Sequence, residues 1–326
     1  MYRILYILIA VFALQACGPR QGEKPKTVLD SLNTVIKNDS TNAGAYHERA
    51  KLYLNLKKYP EALKDMSRAL DIDTTKAAFF LTYADLCMVM KKSGNAEASL
   101  KKCVQLEPKN TEALLKLAEL YLYVEDYQKA LDYANDALKV DNRLGRGYFT
   151  KGMAYLDMGD TGRAVNNFLT TVEQDPEYLV AYENLGIIAA KKRDPLAEQY
   201  FKNALNINPQ DVNVRYLLGE FYQNMGRFDD AIAQYATITQ IMPNNRSAHY
   251  NIGYINFVYK EDNAEAIKHF NEAINADPKY FEAYYMRGIC NEKLKNIDAA
   301  EADYKMALSI MPSYDKALEG MKRIGR

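Results

Sequence analysis

Two columns of small residues recur along this chain at a spacing that few folds can satisfy. The first runs Ala50, Ala84, Ala118, Gly152, Gly186, Gly219, Gly253 and Gly288, in steps of 34 residues apart from one of 33 and one of 35. The second is alanine throughout, at Ala62, Ala96, Ala130, Ala164, Ala197, Ala231, Ala266 and Ala300, and it keeps step with the first through both irregularities. A third column is proline, at Pro108, Pro176, Pro209, Pro243, Pro278 and Pro312, with Thr74 and Asn142 in the two remaining units. Self-similarity at this period marks a repeat architecture, in which each unit buries its apolar face only against its neighbours.

Residues 212–245 show what one unit folds into. Apolar residues at three- and four-residue spacing describe two short amphipathic helices separated by Met225-Gly226-Arg227. Small residues at Gly219 and Ala231 let the two helices approach closely, and a bulkier side chain at either costs roughly 1 to 3 kcal/mol through overpacking. Pro243 ends the second helix, because proline lacks an amide hydrogen and disfavours helical geometry in the residue before it. Full units begin at Ala43, Ala77, Thr111, Gly145, Leu179, Val212, Arg246 and Phe281. The missing residue of the fifth is placed at its inter-helix turn, where Asp194-Pro195 reads as a cap followed by proline at the first helical position. The extra residue of the seventh falls near Lys260 to Asn263. Capping helices are expected over 27–42 and 315–326, the latter with Leu318, Met321 and Ile324 on its inward side.

Leu218-Gly219, Tyr222, Ala231, Tyr235 and Pro243 together resemble the tetratricopeptide repeat, whose pattern is L-G-x-x-Y, then A-x-x-x-F, then P. The resemblance implies an all-α fold, a right-handed superhelical solenoid of antiparallel helix pairs, with eight units at 43–76, 77–110, 111–144, 145–178, 179–211, 212–245, 246–280 and 281–314. It also implies a binding scaffold whose first helices line a concave groove through their second, fifth, ninth and twelfth positions. Carried over, those positions nominate Phe149, Met153, Tyr216, Tyr250, Tyr254, Phe257 and Tyr285 as a partner-binding row. Tyrosine offers rigid contact area with a hydrogen-bonding tip, and an exposed aromatic row marks a partner site. Arg215 and His249 stand at fourth positions where an aromatic is expected, so Tyr216 and Tyr250 have packing as their alternative role. The lysine, asparagine and arginine set of the family's carboxylate clamp is not supplied by any three consecutive units.

The chain opens with Arg3 followed by an apolar run from Ile4 to Leu14, too short to span a bilayer as a helix. Residues 1–16 read as a signal peptide, and Leu14-Gln15-Ala16-Cys17-Gly18 resembles the lipobox of bacterial lipoproteins, which implies acylation of Cys17. Residues 17–26 then form a polar lipidated tether, and Gly18 after the cysteine implies an outer-membrane anchor facing the periplasm.

Composition excludes some function classes. Lys+Arg and Asp+Glu balance at 42 each, which leaves no electrostatic footprint for nucleic acid. The histidines His47, His249 and His269 match no metal-ligand spacing, and no nucleophile motif or phosphate-binding loop is present. No catalytic residue, metal or cofactor is therefore expected. Cys87, Cys103 and Cys290 read as buried free thiols. The expected role is a membrane-anchored protein–protein interaction scaffold of the bacterial envelope, docking a peptide or helix of an envelope partner. The alternatives are a carrier holding a glycan or small apolar ligand in its tyrosine-lined groove, and a self-associating homo-oligomeric scaffold.

Overall fold

A computed structural model describes residues 27–326, so the leader, Cys17 and the tether lie outside the described residues. Every regular element among the described residues is an α-helix. An initial helix, α1 (Val28–Asn38), precedes α2 (Ala43–Asn55) and α3 (Tyr59–Ile72), then α4 (Ala77–Val89) and α5 (Ser93–Leu106). There follow α6 (Thr111–Tyr123) and α7 (Tyr127–Val140), α8 (Gly145–Asp157) and α9 (Thr161–Gln174), and α10 (Leu179–Lys191) and α11 (Leu196–Ile207). The last pairs are α12 (Val212–Asn224) with α13 (Phe228–Ile241), α14 (Arg246–Val258) with α15 (Asn263–Ala276) and α16 (Phe281–Lys293) with α17 (Ile297–Ile310), before a final α18 (Asp315–Arg323). The chain packs as two compact units, one reaching to Ala113 and the other Leu114–Arg326, with the division in the first turn of α6.

Each helix pair is closed by the same turn chemistry. One residue per turn adopts left-handed backbone: Lys57, Lys91, Glu125, Gly159, Arg193, Gly226, Glu261 and Lys295, with φ from 54° to 80°. The amide of the next residue then bonds back to a carbonyl of the first helix, Lys58 to Tyr53 and Arg227 to Tyr222 both at 2.8 Å, which satisfies acceptors that helix ends leave free. The chain reverses in a few residues, and the two helices lie antiparallel.

What fills the space between paired helices depends on the first small-residue column. A Cβ added to Gly152, Gly186, Gly219, Gly253 or Gly288 would lie 2.5 to 2.9 Å from a ring carbon of Phe168, Phe201, Tyr235, Phe270 or Tyr304 respectively. These five rings are at most 1% exposed. Where the column is Ala50, Ala84 and Ala118, the equivalent second-helix residues are Met66, Leu100 and Ala134. Glycine thus makes room for a ring, whose full burial contributes roughly 1.5 to 3 kcal/mol. Cys87, Cys103 and Cys290 are buried free thiols, and burial raises the Cys103 thiol to about 11.

Two local expectations are corrected. Pro195 occupies the N-cap of α11 and not its first helical position, while Asp194 Oδ1 accepts the Leu196 amide at 2.9 Å. The shortening is thereby absorbed in the first turn of α11, which has 12 residues where α9 and α13 have 14. In α18 the buried residues are Ala317 and Gly320, whereas Leu318 is 41% exposed. Gly320 presses on the Tyr304 ring, where a Cβ would come within 2.7 Å, so the helix is rotated to bring its smallest residues inward.

Candidate partner-binding face

The nominated row lies on first helices of the Leu114–Arg326 unit, and all seven of its side chains are half-buried. Each fifth-position ring rests on the buried ring that fills its own helix pair. Phe149 meets Phe168 at 5.6 Å between centroids, Tyr216 meets Tyr235 at 5.6 Å, Tyr250 meets Phe270 at 5.7 Å and Tyr285 meets Tyr304 at 6.0 Å. In three units a further tyrosine closes a triad, Tyr178 on Phe149 at 4.8 Å, Tyr280 on Tyr250 at 5.2 Å and Tyr314 on Tyr285 at 5.3 Å. Burial raises the hydroxyls of Tyr280 and Tyr314 to about 12, so they stay protonated. The row's inner faces are thus committed to packing and its outer edges are held rigid.

The side chains gather in three neighbourhoods and not in one uninterrupted strip. Phe149 and Met153 share one cluster with Phe168, and Tyr216 belongs to another with Tyr235. Tyr250, Tyr254, Phe257 and Tyr285 pack together over Phe270 and Cys290. Tyr254 stacks on Tyr250 at 6.4 Å, and the Lys293 ammonium sits 4.9 Å over the Phe257 ring. Between the first and second groups stand Glu183 and Ile187 of α10.

Polar residues that the row passes over contribute as much to its chemistry. Arg146 clasps the Glu119 carboxylate, with one bond at 2.7 Å. Asn213 donates to Glu183 at 2.5 Å, while burial, and then the charge of Asp211, holds the Glu183 carboxyl above its ordinary range. Asn251 donates to the Tyr216 hydroxyl at 3.1 Å, beside Glu220, whose carboxyl partial desolvation also raises. Glu183 and Glu220 stand at fifth and ninth positions, so the positional rule did contain them, although selection for apolar residues passed them by.

Arg215 and His249 take a role that explains their departure from the expected aromatic. Arg215 donates to the Pro209 carbonyl at 2.6 and 3.1 Å, and His249 Nε2 donates to the Pro243 carbonyl at 2.9 Å. Each bonds the proline's own carbonyl six residues earlier. In the unit ending at Ala113 the fifth position is His47, which is buried, lies 4.7 Å from Phe79 and bonds to Thr82 Oγ1 at 2.8 Å. Desolvation lowers its pKa, so the ring is neutral at physiological pH.

Family profiles of the tetratricopeptide repeat match residues 43–76, 77–110, 149–212, 195–251 and 255–315. Among curated proteins the chain is similar to the BBSome complex member BBS4 of Bos taurus, 24% identical over 258 residues, 78% of this chain and 49% of that one. The chain spans about half the length of the curated relatives it matches. Among solved structures it is similar to the C-terminal part of a repeat-containing protein from Cytophaga hutchinsonii, with a TM-score of 0.66 at 19% identity over 73% of this chain and 98% of that one. PilF of Pseudomonas aeruginosa follows with a TM-score of 0.55 at 17% identity, covering 64% of this chain and 94% of that one. These likenesses concern the fold.

Proposed function

As a member of the tetratricopeptide repeat family, the chain has a fold suited to protein–protein interaction, and we propose that it is a non-catalytic adaptor of the bacterial envelope that docks a segment of a partner protein along its aromatic row. The observation that carries this reading is the two-tier arrangement of rings, in which Phe149, Tyr216, Tyr250 and Tyr285 are each backed by a buried ring of the paired helix. Aromatic edges fixed in this way lose little conformational entropy when a partner covers them, which is what binding hot spots require. Capture from envelope extracts tests it, comparing the wild type with a Tyr254→Ala, Phe257→Ala variant shown by circular dichroism to remain folded. Loss of one protein from the variant's eluate alone supports the row, and an unchanged eluate overturns it.

The envelope part of the proposal rests on the amino-terminal pattern, with acylation at Cys17 holding the repeats at a membrane surface. A single acyl chain binds membranes only reversibly, so stable anchoring needs the several chains of a lipoprotein cysteine. Metabolic labelling with a palmitate analogue addresses this: incorporation abolished by Cys17→Ser, with release of the protein to the soluble fraction, supports the anchor, and label retained in the variant refutes it.

A further inference from the structure

The α12 helix carries one carboxylate, the exposed Glu220, that makes no ion pair among the described residues, although Lys191 lines the same cleft. The polar neighbour of Glu220 is the Tyr216 hydroxyl. Other glutamates of the same compact unit are treated differently. Glu119, at the ninth position of the third unit as Glu220 is of the sixth, is clasped by Arg146, and Glu198 holds both Lys202 and Arg227.

Two clefts meet where Glu220 and Asn224 stand. The larger, ≈ 240 Å³, is walled by Ile187, Ala190, Leu217 and Phe221, with Lys191 also on its lining. The smaller, ≈ 110 Å³, is bordered by Gln223, Tyr235 and Asn251. Hydrocarbon walls therefore lead to a carboxylate accompanied by amide oxygens that accept hydrogen bonds. The larger cleft falls below the roughly 300 to 1,000 Å³ of a typical small-molecule site, but a single long side chain needs no more.

Resting on the docking reading above, we infer that Glu220 receives a lysine or arginine side chain of an extended segment of the partner, its aliphatic stem lying along the Ile187 and Leu217 walls. A basic side chain is amphipathic in the same sense as the cleft, with an apolar stem and a charged head. An acidic segment meets repulsion at Glu220, and a wholly apolar one covers that carboxylate without compensation. Desolvation already raises the Glu220 carboxyl, so an arriving cation favours its charged form.

Selection of a phage-displayed random peptide library against the purified chain, the Glu220→Gln form and a Glu220→Lys form tests the assignment. On the wild type the selected peptides should share one fixed lysine or arginine beside apolar positions. Synthetic peptides carrying that residue should bind the Glu220→Gln form at least about tenfold more weakly, as loss of a charge-assisted pair implies. The Glu220→Lys form should select an acidic residue at the same place. A consensus lacking a basic position, or one equally strong on Glu220→Gln, overturns the assignment. If apolar consensus peptides bind every Glu220 form yet fail on the Tyr254→Ala, Phe257→Ala variant, the row stands and Glu220 alone is wrong. If selected peptides are indifferent to that variant, or none is recovered, the docking reading falls and this inference with it.

Discussion

Gly219 faces the edge of Tyr235 so closely that a methyl group on it would lie 2.7 Å from Cε1 and 2.9 Å from Cζ of the ring. Tyr235 is fully buried, so relieving the contact means shifting a packed ring. Gly219→Ala should destabilise the protein by about 1 to 3 kcal/mol in urea unfolding, despite alanine's better helix propensity. Coupling is the sharper test. Combining Gly219→Ala with Tyr235→Leu recreates the Ala84 and Leu100 pair of the second unit, so the double variant should be more stable than the two single losses add up to. Simple additivity would show that ring and glycine are independent.

Six of the eight inter-helix turns place a residue other than glycine in left-handed backbone. Lys295, at φ 63°, is one of them. Such a residue carries roughly 1 kcal/mol of strain that glycine does not, set against the greater freedom glycine gives the unfolded chain. Lys295→Gly should therefore raise stability by up to about 1 kcal/mol, and Gly226→Ala should lower it by a similar amount. Thermal melts of the two variants moving in the same direction would contradict the argument.

Asp303 anchors a polar knot inside the last helix pair. Its side chain is 6% exposed and takes Arg287 Nη2 at 2.5 Å and Asn291 Nδ2 at 3.1 Å, while Arg287 also reaches Asn271. Arg49, Asp65 and Asn33 repeat the arrangement in the first pair. Removing one partner of such a pair strands the other, so Asp303→Ala should cost about 3 to 5 kcal/mol. Hydrogen exchange should show the loss concentrated in α16 to α18, and an unchanged exchange profile there would rule the knot out as a determinant of stability.

Glu198 accepts from Lys202 at 2.7 Å, Arg227 at 2.5 Å and Tyr222 at 3.0 Å, and the Lys202 bond is the largest influence holding its carboxyl down to about 2. A carboxylate depressed in the folded state contributes stability that is complete above its unfolded value near 4.5 and disappears as pH falls through about 2. Urea midpoints measured from pH 6 down to pH 2.5 should fall, and the Glu198→Gln variant should fall less steeply. Parallel curves for the two proteins would remove Glu198 from the account.

Much of the fold can be read from the sequence because its determinants are periodic. Columns of glycine and alanine fix where helices meet, and prolines fix where they stop. The rule linking the columns to the rings was also present in the sequence, since the residue four after the second-column alanine is aromatic in the units that carry Gly152, Gly186, Gly219, Gly253 and Gly288, and is Met66, Leu100 or Ala134 in the units that carry alanine. It emerges only when packing shows that the two positions touch. The rotation of α18 escaped for a similar reason: its apolar stripe favours Leu318, but the demand of Tyr304 for a glycine at 320 overrides it. On the candidate face, positions alone nominated the aromatics. Ion pairing separates Glu119 from Glu220, and that depends on whether a neighbouring unit supplies an arginine.

The pairing of glycine with ring also sets a grammar for recombining these units. Within the Leu114–Arg326 unit, α13 and α15 are interchangeable parts in principle, because Tyr235 and Phe270 each need a partner helix bearing glycine. Neither could replace α3, since Ala50 of α2 puts a methyl group where the ring must lie. Gene duplication or design can therefore move whole helix pairs with this contact intact, yet can exchange single helices only among those that speak the same dialect.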